Sequence, residues 1–140
     1  MEYEDYQYLR FERPGRGILL IKINRPEVLN ATNARLHNEL TYVWSTLEAD
    51  DLTNVVVITG EGDKAFSAGG DMDLIEGMIG NSEEILRVQK EARDLVYNIL
   101  AFEKPVISAI NGVAVGAGLA IALLADISVM HEDAQLTDGH

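Results

Sequence analysis

The stretch "FSAGGD" at residues 66–71 crowds three residues with little or no side chain between a serine and a carboxylate, just after a short apolar segment. A second small-residue run, "VAVGAGLAIALLAD" at residues 113–126, repeats the arrangement further along. In each case a strand leads through a turn into a helix: Ala68, Gly69 and Gly70 precede "DMDLIEGM", and Gly116, Ala117 and Gly118 precede "LAIALLA". The first amides of a helix have no intrahelical acceptor, and the helix dipole adds partial positive charge there, so both turns predict bare N–H donors. If the two helix starts converge, two main-chain donors grip one oxygen, the arrangement that stabilises an oxyanion or enolate. The competing reading is tight packing of helix on strand, which also demands glycine and alanine.

Outward from these turns the chain alternates strand and helix patterns. Residues 8–13 and 18–23 read as strands joined by the turn "PGRG", a hairpin at the entry. Leu36, Leu40, Val43 and Leu47 recur at helical spacing, with Thr32 or Asn33 as cap. "NVVVITG" at 54–60 reads as a strand buried on both faces. Residues 82–102 are helical, with Ile85, Val88, Ala92, Leu95 and Ile99 on one face and Pro105 as the stop. "VISAI", the tight turn "NG", "VAV", a short apolar helix over "LAIALLA" and the strand "DISVM" follow. No repeat, low-complexity tract or linker divides this α/β order.

The 140 residues are 47% hydrophobic, which suits one domain with one core. A formal charge of −12 disfavours nucleic acid and anionic membrane surfaces as partners. The absence of cysteine removes disulfide and thiolate chemistry and fits a reducing compartment, with cytoplasm the expected location. The N-terminus lacks a signal-peptide pattern, and the longest uncharged apolar run is too short to span a bilayer core of roughly 30 Å.

"NRPEVLNA", "VVVITGEGDKAFSAGGDMDLI" and "KPVISAINGVAVGAGLAIALLADISV", in that order over nearly the whole chain, resemble the crotonase family of enoyl-CoA hydratases and isomerases. The resemblance implies a crotonase-like spiral of ββα units with two roughly perpendicular sheets, and assembly as homotrimers or dimers of trimers. It implies an acyl-CoA thioester as substrate in fatty acid metabolism, with coenzyme A as part of the substrate and no separate cofactor or metal. The thioester oxygen would be held by the amides of Ala68 and Ala117. Glu27, Val28, Ala31, Phe66, Gly70, Asp71, Met72 and Gly116 fall where family members line the CoA and acyl path. Asp71 would cap its own helix and brace the turn, and Lys22, Arg25 or Lys64 would supply positive charge for the phosphates.

The family's hydratases use two glutamates to activate water and move a proton. Ala120 stands at the first of these positions and cannot act as a base. His140 stands at the second, with Asp138 two residues earlier, so either is the candidate acid/base. The resemblance further implies that residues 1–140 are a core lacking the C-terminal segment that closes the acyl pocket and packs between subunits. An acyl-CoA-binding or assembly subunit without turnover, or another enolate reaction such as decarboxylation or C–C bond hydrolysis, is the alternative.

Other motifs weigh less. "VGAGLA" partly fits a dinucleotide turn with Glu132 as ribose partner, but Ile121 replaces the third glycine. "AFSAG" resembles a nucleophile elbow around Ser67, without an evident histidine partner. His37 reads as solvated, His131 as a loop residue, Met72 and Met78 as core filling, and the acids at 48–51 and 83–84 as solvated helix ends. The three histidines show no metal-binding spacing.

Overall fold

The computed structural model describes residues 2–139. Strands β1 (Leu9–Gly15) and β2 (Ile18–Ile23) form the expected antiparallel hairpin, with an irregular register between Glu12 and Gly15. Helix α1 (Ala34–Glu48) follows, then β3 (Val55–Gly60), β4 (Ala65–Ser67), α2 (Met72–Met78), α3 (Ser82–Ala101), β5 (Val106–Ile110), β6 (Val113–Val115), α4 (Ala117–Leu124), β7 (Ile127–Met130) and β8 (Leu136–Thr137). The strands sort into a five-stranded sheet of order β1-β2-β3-β5-β7 and a three-stranded sheet of order β4-β6-β8. Past the hairpin, every neighbouring pair in both sheets is parallel.

This sorting is the logic of the fold. Each strand pair β3/β4, β5/β6 and β7/β8 places its first member in the large sheet and its second in the small one. Parallel neighbours need a crossover, and the helices between pairs supply it. The "NG" dipeptide at 111–112, read as a tight turn, is therefore a corner between sheets. β4 and β8 are too short, at three and two residues, to leave a periodic signal in the sequence. β3 alternates buried and half-buried positions where burial on both faces was expected.

The core lies between α1, α3 and the large sheet. Leu36, Leu40, Val43 and Leu47, the predicted stripe of α1, are all essentially inaccessible, and burying each such side chain contributes about 1.5–3 kcal/mol. Asn33 caps this helix by accepting from the Leu36 amide, which satisfies one of the free N–H groups of its first turn. At its other end Lys104 Nζ donates to the carbonyls of Leu47, Glu48 and Asp50, placing positive charge on the negative end of the dipole.

Several surface assignments are corrected. His37 is buried, not solvated: its Nδ1 lies 2.7 Å from Glu91 Oε2. Glu91 also receives Asn38 Nδ2 at 3.0 Å and Arg87 Nη1 at 2.8 Å. Glu91, not the neighbouring Ala92, takes the inward position on α3, because a paired carboxylate can be buried where its partners are. Asp50 is no free helix end either. It accepts from Tyr3, Arg13 and Thr53, and although burial raises its carboxyl, these bonds and that from the Leu52 amide hold it far below the usual carboxylate range. Met72 is 63% exposed and fills no core.

Ile127, Val129 and Met130 of β7, the outermost strand of the large sheet, are exposed together with Leu123 of α4. Among the described residues, no helix is long and apolar enough to cross a membrane.

Candidate active site

β4, β6 and β8 are parallel neighbours, so their C-terminal ends reach one edge of the small sheet, at the roughly 4.8 Å spacing of adjacent strands. The segment 68–71 leaves from β4, Gly116 and Ala117 leave from β6, and Asp138 follows β8. In an α/β architecture, the carboxyl edge of parallel strands is where helix starts and loops converge.

The two turns are packed backbone to backbone. A Cβ added at Gly69, whose φ is +86°, would stand 2.8 Å from the Val115 carbonyl oxygen. A Cβ added at Gly118 would stand 2.5 Å from the Ser67 carbonyl oxygen. Gly116, at φ 52 and ψ −117, takes a conformation closed to side-chain-bearing residues and turns the chain from β6 into α4. The small residues thus serve the tight packing and the helix starts at once.

Their hydrogen bonds decide which amides are free. Ala68 N–H donates to the Leu29 carbonyl at 3.0 Å, so the expected donor is already occupied. Gly69 N–H donates to Ser67 Oγ at 3.3 Å, and Asp71 N–H to the Thr32 carbonyl at 3.0 Å. That leaves Gly70, an exposed residue, whose amide has no acceptor among the described residues. In the second turn Ala117 N–H is likewise free among the described residues, while Ala120 N–H closes the first helical bond to the Gly116 carbonyl at 2.9 Å. α4 begins at Ala117 itself, not at Leu119, which puts this amide at the first helical position. Gly70 and Ala117 are therefore open donors, one on each turn, alongside the remaining first-turn amides of α2 and α4, which have no intrahelical acceptor either. Nothing local to the turn separates Gly70 from Ala68; the Leu29 carbonyl, on a distant loop, decides between them.

Asp71 caps α2 by accepting from Leu74 N–H at 3.0 Å through Oδ1, and receives Arg25 Nη1 at 2.8 Å on Oδ2. Arg25 is consequently not a free phosphate ligand. Lys22 is tied to Glu12 at 2.8 Å and Glu61 at 3.7 Å, and the Glu12 bond holds its ammonium above the usual range. Lys64 forms no ion pair among the described residues and is exposed at the mouth of the corner.

The remaining candidates divide. Glu27 and Val28 lie on an exposed 3-10 turn over Pro26–Val28, and Met72 is exposed at the start of α2. Ala31 is buried and presents its carbonyl to Arg25. Phe66 is wholly inaccessible in the core, so its side chain cannot line a ligand path. Asp138 is exposed beside the second turn, where Gly116 N–H donates to the Thr137 carbonyl at 3.2 Å. His140 lies outside the described residues. Ala120, one turn into α4, offers no titratable group. Among the described residues, no group of three or more His, Cys, Asp or Glu is placed to hold a metal.

The comparisons with known proteins agree with this architecture. The family model for enoyl-CoA hydratase/isomerase matches residues 13–139. The short-chain-enoyl-CoA hydratase of Clostridium acetobutylicum is 35% identical over 124 residues, 89% of this chain and 46% of that protein. An enoyl-CoA hydratase/isomerase from Mycobacterium paratuberculosis superposes with a TM-score of 0.89 at 34% identity, covering 95% of this chain and 53% of the other. An enoyl-CoA hydratase from Bacillus anthracis gives 0.85 at 31%, covering 93% and 50%. The chain spans about half the length of these relatives. It belongs to the enoyl-CoA hydratase/isomerase family, the crotonase superfamily, and has that fold.

Proposed function

We propose that the protein acts on an acyl-CoA thioester by stabilising its enolate between the amides of Gly70 and Ala117. The observation that carries this is the pair of unpaired main-chain donors on adjacent, mutually packed turns. Donors fixed before the reaction cost no reorganisation when charge develops, and each contributes about 10²–10³ in rate. For hydration of an enoyl thioester, the hydroxyl adds to C3 while the C2=C3 electron pair moves toward C2 and the thioester oxygen. The enolate then collapses as a proton is added at C2. For isomerisation the same enolate forms by removal of a proton and is reprotonated elsewhere.

Asp138, exposed beside the second turn, is proposed as the group that moves a proton, with His140 as its proposed partner or replacement. Lys64 is proposed to meet the CoA phosphates, with Glu27, Val28 and Met72 along the exposed path. Assembly as a trimer or dimer of trimers and a role in fatty acid metabolism are proposed on family grounds, and a cytoplasmic location on the cysteine-free composition.

Ala120 favours a second reading, acyl-CoA binding without turnover. Crotonyl-CoA hydration measured beside binding of the same ester separates them. Turnover lost in Asp138→Ala or His140→Ala supports the enzyme with these groups as acid/base. Tight binding with no turnover, across crotonyl-CoA and a panel of saturated and β-keto esters, supports the binding protein.

A further inference from the structure

We infer that Arg25 is a positioning residue that aims the Gly70 amide, an inference resting on the enolate reading above. Its side chain is 13% exposed, and the guanidinium sits over the Tyr8 ring, 5.1 Å from the centroid. One nitrogen, Nη1, donates both to the Ala31 carbonyl at 2.6 Å and to Asp71 Oδ2 at 2.8 Å. Those two acceptors flank the strip that fixes Gly70. The Thr32 amide donates to the Gly69 carbonyl at 2.6 Å, and the Thr32 carbonyl accepts the Asp71 amide at 3.0 Å. Residue 32 therefore pins the peptide groups on either side of Gly70 and leaves the Gly70 N–H itself pointing elsewhere.

Arg25 closes this frame. It joins Ala31, next to Thr32, to Asp71, next to Gly70, so the loop and the helix start move as one body. Asp71 Oδ1 is taken by the cap to Leu74, so Oδ2 with Arg25 is the side-chain link between cap and loop, beside the backbone bond from Asp71 to Thr32. A charge-assisted bond between groups this shielded is stronger than a surface pair. Orientation of a donor is worth rate in proportion to how well it is held, and a misplacement of about 1 Å costs about 10²-fold.

The test uses two ligands on the intact protein. Acetoacetyl-CoA ionises at C2, its proton passing to solvent, and the bound enolate is read by near-ultraviolet absorbance. S-butyl-CoA, a thioether without the carbonyl, reports CoA binding alone. Arg25→Met is expected to lower the bound enolate-to-keto ratio at fixed pH by about tenfold to a hundredfold, with S-butyl-CoA affinity within about threefold. Asp71→Asn keeps an oxygen for the Leu74 cap and breaks the pairing with Arg25, so it tests the link even if Arg25→Met fails to fold. It is expected to lower the ratio similarly, and the double variant to lose no more than the larger single loss, the mark of residues acting as a unit. Loss of S-butyl-CoA affinity with an unchanged enolate ratio makes Arg25 a ligand-charge residue and overturns the inference. Losses that multiply in the double variant overturn it too. If Ala117→Pro leaves the enolate ratio of the otherwise unchanged protein intact, the enolate reading itself has failed, and the inference with it.

Discussion

Gly118 lies so close to Ser67 that an added Cβ would stand 2.5 Å from the Ser67 carbonyl oxygen and 2.7 Å from its Cβ. This contact joins the start of α4 to the end of β4, and so sets one open amide against the turn that carries the other. Neither neighbour is a flexible side-chain tip, and the backbone must give way if a methyl is added.

Gly118→Ala is accordingly expected to destabilise the fold by about 1–3 kcal/mol, the usual cost of overpacking, and to weaken enolate binding more than thioether binding. Denaturant unfolding and the two-ligand comparison check the two halves. Wild-type stability would show that α4 can slide along β4.

Asn30 is buried and bonds in both directions: Nδ2 donates to the Glu61 and Ala65 carbonyls at 3.0 and 2.9 Å, and Oδ1 accepts the Arg25 amide at 2.9 Å. It holds the loop 25–32, with Leu29 and Asn30 both at φ 55, against the β3–β4 corner. Asn30→Ala leaves these backbone groups unpaired and is expected to cost about 2–3 kcal/mol. Because Ala68 is tied to Leu29, enolate stabilisation should fall as well.

Burial raises the Glu91 carboxyl, but bonds from Asn38, His37 and Arg87 outweigh it and hold the group below its ordinary 4.5. A depressed carboxylate contributes stability that is fully present above about pH 4.5 and is lost as pH falls through the folded-state value. Glu91→Gln is expected to cost about 1.5–3 kcal/mol at neutral pH and to flatten the acid limb of the stability curve. Unfolding midpoints between pH 3 and 7, with wild type and variant converging at the acid end, are the expected result; parallel curves would contradict it.

The large elements were legible because their apolar stripes are long. The α1 stripe buries the residues that its spacing picks out, and the β2, β3 and β5 runs are strands as read, although β3 and β5 bury alternate residues only. What the sequence hid is short or paired. β4 and β8 carry too few residues for a period, and the "NG" corner reads only as a tight turn until its flanking strands are seen to join different sheets. Glu91 and His37 read as surface residues singly, since only a partner on another helix makes either buriable. The two small-residue turns announced open amides, but Ala68 or Gly70 was decided by a carbonyl on a distant loop, at Leu29, which no local pattern encodes.

The most direct test of the account is Ala117→Pro. Proline is favoured at the first helical position because its missing N–H has no intrahelical acceptor to lose, so the substitution deletes the donor while sparing the helix. The account predicts a near-wild-type unfolding midpoint, S-butyl-CoA affinity within about threefold, and an enolate-to-keto ratio for acetoacetyl-CoA reduced by about 10²-fold or more. An unchanged ratio in the folded variant would contradict it.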